Sequence, residues 1–282
     1  MSAEITYVKD TFASYLGKKD HISSSDIKNF MKSPRYYYFK KYLEKKDETS
    51  RHLVIGSALH ESILEPHKFL NTYIVAPNFN RRTNEGKKEY ADFQNDNKDK
   101  VMLLEDEMDL VRNICESALL CEPLMELIKD SYKELSIYTT DEITGLKLKL
   151  RPDIYCKTRS TIVDLKSCQD SSPRGFKRDV FNFGYSISAS YYSQFAKKEN
   201  YLFCALEKNE PYQVAMYGLS DEMLEYGAKQ VRIGLDLLKW CYANKYFPTH
   251  NEFSILLNCY ELGSLDDFFE ISRNSDKITI LQ

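Results

Sequence analysis

Asp153, Asp164 and Lys166 stand in the segment RPDIYCKTRSTIVDLKS, residues 151–167. Their types and spacing suit metal-assisted phosphodiester chemistry. One carboxylate closes a strand-like run at Asp153. Asp164 and Lys166 follow on the next run, two apart, so a strand puts both on one face and Val163 and Leu165 on the other. A hairpin between the runs would set the two carboxylates side by side. Such carboxylates repel unless a divalent cation lies between them. Magnesium suits the pair, because it uses one or two carboxylates and fills its other positions with water and phosphate oxygens. It would lower the pKa of a bound water and neutralise charge developing on phosphorus. Lys166 would orient that water. The same spacing also fits a solvated polar face. Against this, Asp164 is embedded in the apolar run IVDL, where an unpaired carboxylate is costly. Asp153 follows Pro152, which interrupts strand pairing.

The elements that must position these residues can be read around them. Residues 136–168 predict three consecutive strands, with turns at DEITG and near KTRS. In the middle strand Leu146, Leu148 and Leu150 alternate with Lys147, Lys149, Arg151 and Asp153. Upstream, ISSSD at 22–26 supplies caps for a helix through IKNFMKSP. Pro34 either interrupts that helix or opens another at its first turn. RYYYFKKYLEKK reads as an amphipathic helix. Leu53–Leu64 reads as a further helix, with Gly56 and His60 on one face. Residues 76–90 read as a polar loop bearing Arg81, Arg82, Lys87 and Lys88. Helices follow at about 91–101 and 105–129. Downstream, 171–185 reads as a loop with a short helical turn, SISASYYSQFAKKE as a helix, YLFCALEK and YQVAMYGL as strands, and the stretch from Ser220 to Lys245 as a long helix. Residues 1–20 read as a loosely tied arm, and 250–282 show weak periodicity.

Composition narrows the classes. A length of 282 residues suits one large domain or two small ones, and 43% hydrophobic residues supply a sizeable core. With no Gly/Ser-rich linker or repeat, one domain is favoured. No apolar run reaches the roughly 18 residues a membrane span needs. The start, MSAEITYVKDTF, lacks the pattern of a secretory signal. The seven cysteines are odd in number and scattered, which fits reduced thiols in a cytoplasmic protein rather than a disulfide framework. A net charge of −3 argues against coating nucleic acid by bulk charge. It leaves room for an enzyme with a local basic path.

The segments GSALHESILEP, FNRRTNEGK, SIYTTDEITGLKLKLRPD, IVDLKS and, more weakly, FNFGYSISASYYS stand in an order that resembles the PD-(D/E)xK nuclease superfamily. Within it the chain resembles the nuclease domain of exonuclease VIII (RecE) and its phage relatives, over about residues 22–245. The resemblance implies an α/β restriction-endonuclease-like core, a central mixed sheet flanked by helices. It implies metal ligation by His60, Asp153, Asp164 and the carbonyl of Leu165, with Glu134 as an additional acidic position. Glu134 also reads as a solvated residue before a strand. Arg81 and Arg82 match a basic loop that contacts DNA, and Tyr192 a substrate-binding tyrosine. A solvated loop and ordinary core aromatics remain the alternatives. The family glutamine four residues before that tyrosine is replaced by Ser188. Gln194 is no substitute, since six residues turn it to another face. Some relatives hold an iron–sulfur cluster. Here Ser33 stands at the first cluster position and Cys241 and Cys259 are isolated, so no cluster is expected.

These readings predict an N-terminal arm over 1–21, a nuclease domain over 22–249 and a C-terminal extension over 250–282. The implied activity is a magnesium-dependent (or manganese-dependent) exonuclease on double-stranded DNA ends. It would run 5′ to 3′ and leave 3′ overhangs for a single-strand annealing partner, working as a homo-oligomer away from membranes. The alternatives are a single-strand or endonucleolytic relative, and a non-catalytic protein that binds DNA ends, which Ser188 favours.

Overall fold

A computed structural model describes residues 4–44 and 50–274. The chain opens with β1 (Thr6–Val8), α1 (Phe12–Gly17), α2 (Ser24–Lys32), α3 (Pro34–Tyr38) and a π-helical turn (Phe39–Leu43). It continues through α4 (Arg51–Leu64), α5 (Pro66–Thr72), β2 (Tyr73–Val75), α6 (Asn84–Asp96), β3 (Val101–Leu103), α7 (Glu105–Leu119) and α8 (Glu122–Lys129). Strands β4 (Ser131–Lys133), β5 (Ser136–Thr140), β6 (Lys147–Leu150), β7 (Ile154–Cys156) and β8 (Thr161–Cys168) follow. Then come α9 (Pro173–Asn182), α10 (Tyr185–Ala196), β9 (Asn200–Glu207), β10 (Val214–Gly218), α11 (Asp221–Asn244), α12 (His250–Glu261), a 3₁₀ turn (Leu265–Asp267) and α13 (Phe268–Asn274).

The central sheet has the order β10-β9-β8-β7-β4. It is mixed: β8 and β9 run parallel, and the other pairs are antiparallel. Alternation along β8 builds the two layers on its faces. Ile162 joins a core with Ile27 and Phe30 of α2, Ala189 and Tyr191 of α10, and Leu235 and Leu238 of α11. Val163 and Leu165 join a second core with Leu59 and Ile63 of α4, Val111 and Ile114 of α7, and Leu124 of α8. Asp164 and Lys166 therefore lie on the α10 side. The expected α/β architecture, a mixed sheet flanked by helices, is what the chain adopts.

The middle strand of the expected three is cut in two. At Pro152, which has no N–H to give a ladder, the chain leaves one sheet for another. β6 pairs with β5 in the three-stranded sheet β1-β5-β6, and β7 pairs with β4 and β8 in the central one. The N-terminal arm is tied more firmly than its sequence suggests, because β1 pairs antiparallel with β5 and Tyr15 is buried.

Other departures have local causes. The expected loop over 76–90 becomes helix from Asn84, since the Thr83 hydroxyl accepts from the Gly86 N–H at 3.0 Å. That helix ends at Asp96, and Val101–Leu103 pairs parallel with β2 instead. The single helix expected over 105–129 breaks at Leu120–Cys121, and Pro123 in the next first turn restarts it. RYYYFKKYLEKK is a short helix opened by Pro34 and then a π-helical turn; its Lys45 and Lys46 lie outside the described residues. Residues 173–182 form a regular helix because Ser172 caps it. Beyond Thr249, whose capping box with Glu252 starts α12, Phe253, Leu256 and Cys259 bury themselves in the α11 layer. The last eight residues of the expected extension, 275–282, lie outside the described residues.

Candidate active site

Strand register brings the carboxylates together. Lys133 pairs with Ile154, and Ile154 with Val163. One step further along these antiparallel ladders, Glu134 falls beside Asp153, and Asp153 beside Asp164. The Glu134 N–H donates to the Asp153 carbonyl at 3.1 Å. Asp153 Oδ2 accepts from the Leu165 N–H at 2.7 Å, which locks its carboxylate against β8.

His60 arrives from the other layer. Leu59, Ile63 and Leu64 anchor α4 in the second core, and the imidazole reaches the backbone of β8. Its Nδ1 lies 3.4 Å from Asp153 Oδ1 and its Nε2 3.1 Å from the Leu165 carbonyl oxygen. One donor atom from each of His60, Glu134 and Asp153 lies within 4.8 Å of the others. Lys166 Nζ sits 2.5 Å from Asp164 Oδ2 and 3.4 Å from the Leu165 carbonyl.

The electrostatics are those of crowded acids. Burial and the Asp153 charge push the Glu134 carboxyl up to about 7, against the pull of His60 and Arg151. Burial disfavours a charged His60, but Asp153 overrides this and holds its imidazolium up to about 9. Burial would raise Asp153, yet His60 and Lys166 hold it well below the usual carboxylate range. Burial raises Asp164, and Lys166 only partly offsets that. Lys166 itself stays charged, since Asp164 and Asp153 outweigh its burial. The donors are one imidazole, carboxylates and a backbone carbonyl, a set that suits a hard divalent cation.

Arg151 braces this cluster. Its Nε donates to Glu134 at 2.9 Å, and its Nη1 reaches Asp10 at 3.0 Å and the Ser136 hydroxyl at 2.6 Å. Glu134 has φ +51°, a left-handed backbone that these bonds hold in place. The Tyr192 hydroxyl lies 3.3 Å from both the N–H and the carbonyl oxygen of Arg151. It thus grips the chain just ahead of Pro152 and Asp153.

Residues 23–255 match the family model of a PDDEXK-like domain of unknown function (DUF3799). The chain belongs to this PDDEXK-like family. Its fold is shared with a protein from Eubacterium rectale provisionally described as an exonuclease. The TM-score is 0.59 at 18% identity, over 84% of this chain and 88% of that one. A phage-related exonuclease from Haemophilus somnus 129PT superposes at a TM-score of only 0.38 with 9% identity, over 79% and 83% of the two chains. No curated protein matches the sequence.

In the PDDEXK-like site, His60, Glu134, Asp153, Asp164, Leu165 and Lys166 are brought together. Arg81 and Arg82 are not: both are exposed in the turn before α6, with the Arg81 guanidinium 4.5 Å from the centre of the Tyr90 ring. Tyr185, Ser188 and Tyr192 share one face of α10, at helical spacings of three and four. Ser188 is thus a short side chain between two tyrosines, and Gln194 is exposed elsewhere. Several residues carried no sequence signal. Asp10 and Arg151 act through a contact 141 positions apart. Lys28, on α2, lies against Tyr185 and near Lys166. Arg174, Lys177 and Arg178 form an exposed basic face on α9, beside the exposed Phe181 and Phe183. Among the described residues no helix is long and apolar enough to cross a membrane.

Proposed function

We propose that this PDDEXK-like protein is a divalent-metal-dependent deoxyribonuclease that removes nucleotides from double-stranded DNA ends. The observation that carries the reading is the convergence of His60, Asp153, Asp164 and the Leu165 carbonyl from two layers of the fold, with Lys166 beside them. The elevated Glu134 supports it: burial first, and then the neighbouring Asp153 charge, push its carboxyl up to about 7, and a cation between the two carboxylates would relieve the second of these.

His60, Asp153, Asp164 and the Leu165 carbonyl would hold the ion, magnesium or manganese, with Glu134 alongside. When bound, the ion supplies an activated water and charge neutralisation at phosphorus. The protein's own groups do the rest. Lys166 favours the ionised form of Asp164 against its burial and places a positive charge where a hydroxide would form. Arg151 holds Glu134, and Tyr192 fixes the backbone from which Asp153 projects. Arg81 and Arg82, exposed in the turn before α6, offer planar guanidinium donors for phosphates of the DNA outside the site. The family resemblance extends the reading to 5′ to 3′ action, a 3′ overhang, a single-strand annealing partner and a homo-oligomer. Residues 22–249 would be the catalytic unit.

End-labelled linear duplex and closed circular DNA, incubated together with magnesium, test the proposal. Release of nucleotides from linear DNA alone is expected. It should stop in chelator and in Asp164→Ala protein. Cut circles would replace the exonuclease with an endonuclease, and undiminished activity of Asp164→Ala would remove the site. Ser188 favours one second reading: with a short side chain between Tyr185 and Tyr192, the face that would grip the strand is altered. A protein that binds ends and releases no nucleotide with any divalent metal would bear that out.

A further inference from the structure

We propose that Lys28 of α2, together with Tyr185, forms a phosphate-binding subsite next to Lys166, which holds the DNA strand one phosphate away from the one cleaved. The inference rests on the nuclease reading for its ligand and on separate geometry for its residues.

Lys28 is fixed in place by its neighbours. Ile27 and Phe30, on either side of it in sequence, are fully buried in the α10–α11 layer. The Lys28 stem packs on Gly184, where an added Cβ would meet its Cδ at 3.3 Å. Gly184 has φ +61°, so the chain turns there without a side chain and leaves the stem its path. The stem ends with Nζ 5.8 Å from the centre of the Tyr185 ring. Lys166 Nζ lies 5.6 Å from the centre of the same ring. The two ammonium groups are therefore separated by no more than the sum of those distances.

Their partners differ. Lys166 is paired with Asp164. Among the described residues no carboxylate lies within ion-pair distance of Lys28. The acid on its own helix, Asp26, is committed to the Ser23 cap and to Lys41. The other charges that act on Lys28 are Asp164, Lys166 and Lys32. A half-buried cation that a second cation also disfavours, with Asp164 beyond ion-pair distance, is unfavourable unless a ligand supplies a closer anion. Successive phosphates of one strand are such a ligand. The Lys28–Tyr185 face also continues into the exposed Phe183, whose ring lies 5.6 Å from that of Tyr185. A ring beside a cation is the pairing that holds a base and its phosphate together.

The test uses the full chain and equilibrium binding, so it does not depend on turnover. Affinity for a short 5′-labelled duplex is measured by fluorescence anisotropy in calcium, for wild type, Lys28→Met and Lys28→Arg, over a range of salt. Lys28→Met is expected to weaken binding about tenfold and to lower the slope of log affinity against log salt by about one. Lys28→Arg should restore most of both. A duplex carrying one neutral methylphosphonate at the phosphate next to the terminal linkage should lose affinity for wild type and not lose it further for Lys28→Met. An unchanged salt slope, or additive losses at every methylphosphonate position, would overturn the subsite. Failure of the nuclease reading looks different: binding and its Lys28 dependence would persist while no nucleotide is released.

Discussion

The Nε2 of His60 lies 3.1 Å from the backbone carbonyl oxygen of Leu165, while its Nδ1 faces Asp153 at 3.4 Å. A helix in one layer thus touches, with one ring, a strand backbone and the carboxylate of the neighbouring strand. With both nitrogens occupied in this way the ring is a cation. To serve as a ligand it must give up a proton.

Metal affinity should therefore depend on pH with a definite sign. The imidazolium persists to about 9 in the metal-free protein, so a metal competes with a proton below that value. Apparent affinity for manganese should rise by up to about tenfold per pH unit between neutrality and pH 9 and then level off. Titration calorimetry at several pH values reads this directly. His60→Ala should weaken binding and flatten the profile. A wild-type affinity that does not change across that range would show that His60 is not a ligand.

Stability of the metal-free protein should move the opposite way. The folded state holds His60 up to about 9, above its ordinary value of 6.5. The His60–Asp153 pair therefore stabilises fully below 6.5 and is lost as pH rises through about 9. Thermal melts in chelator should show the melting temperature falling across this window in wild type. In His60→Ala the fall should be smaller.

Glu134 separates a backbone need from a side-chain need. Its left-handed φ of +51° costs any residue with a Cβ, by roughly 1 kcal/mol. Glu134→Gly should thus be more stable than Glu134→Ala by about that amount in chemical denaturation. Both lose the carboxylate and should lose metal affinity alike. Equal stabilities would mean that the turn relaxes once the Arg151 pair is gone.

Gly227 tests the packing behind the site. A Cβ there would lie 2.2 Å from the Ser186 carbonyl oxygen and 2.5 Å from the Ser190 hydroxyl. Gly227→Ala must push α11 off α10, the helix that carries Tyr185 and Tyr192, and should cost about 1–3 kcal/mol. Denaturation midpoints of the two proteins would show it. A neutral substitution would mean that α10 is not rigidly held.

The grouping of the proposed site residues was more legible than the scaffold. Asp153, Asp164 and Lys166 announce themselves because alternation in IVDLKS and a proline before Asp153 are local signals. Their neighbourhood in space follows from one hairpin register. His60 and Glu134 needed the family pattern, since a histidine on a helix or an acid before a strand has no local signature of ligation. Lys28, Asp10 and Arg151 were invisible for another reason. Each is placed by contacts across long separations in sequence, and nothing in its immediate sequence reflects the partner. The same holds for the strand break. Pro152 marks an interruption, but only the packing of two sheets turns that interruption into a crossing from one to the other. The loop expected over 76–90 failed on a single hydroxyl, the Thr83 cap.

The bond from Arg151 to Asp10 has a practical corollary. A shortened protein begun at residue 22 would keep all six residues gathered at the site and yet remove the acid that balances the guanidinium. Arg151 would then be free to pull harder on Glu134, or to swing away from it. Asp10 thus acts on the site as a counterweight from outside it, and trimming the chain ahead of residue 22 for crystallisation or fusion would retune the site without touching any residue in it.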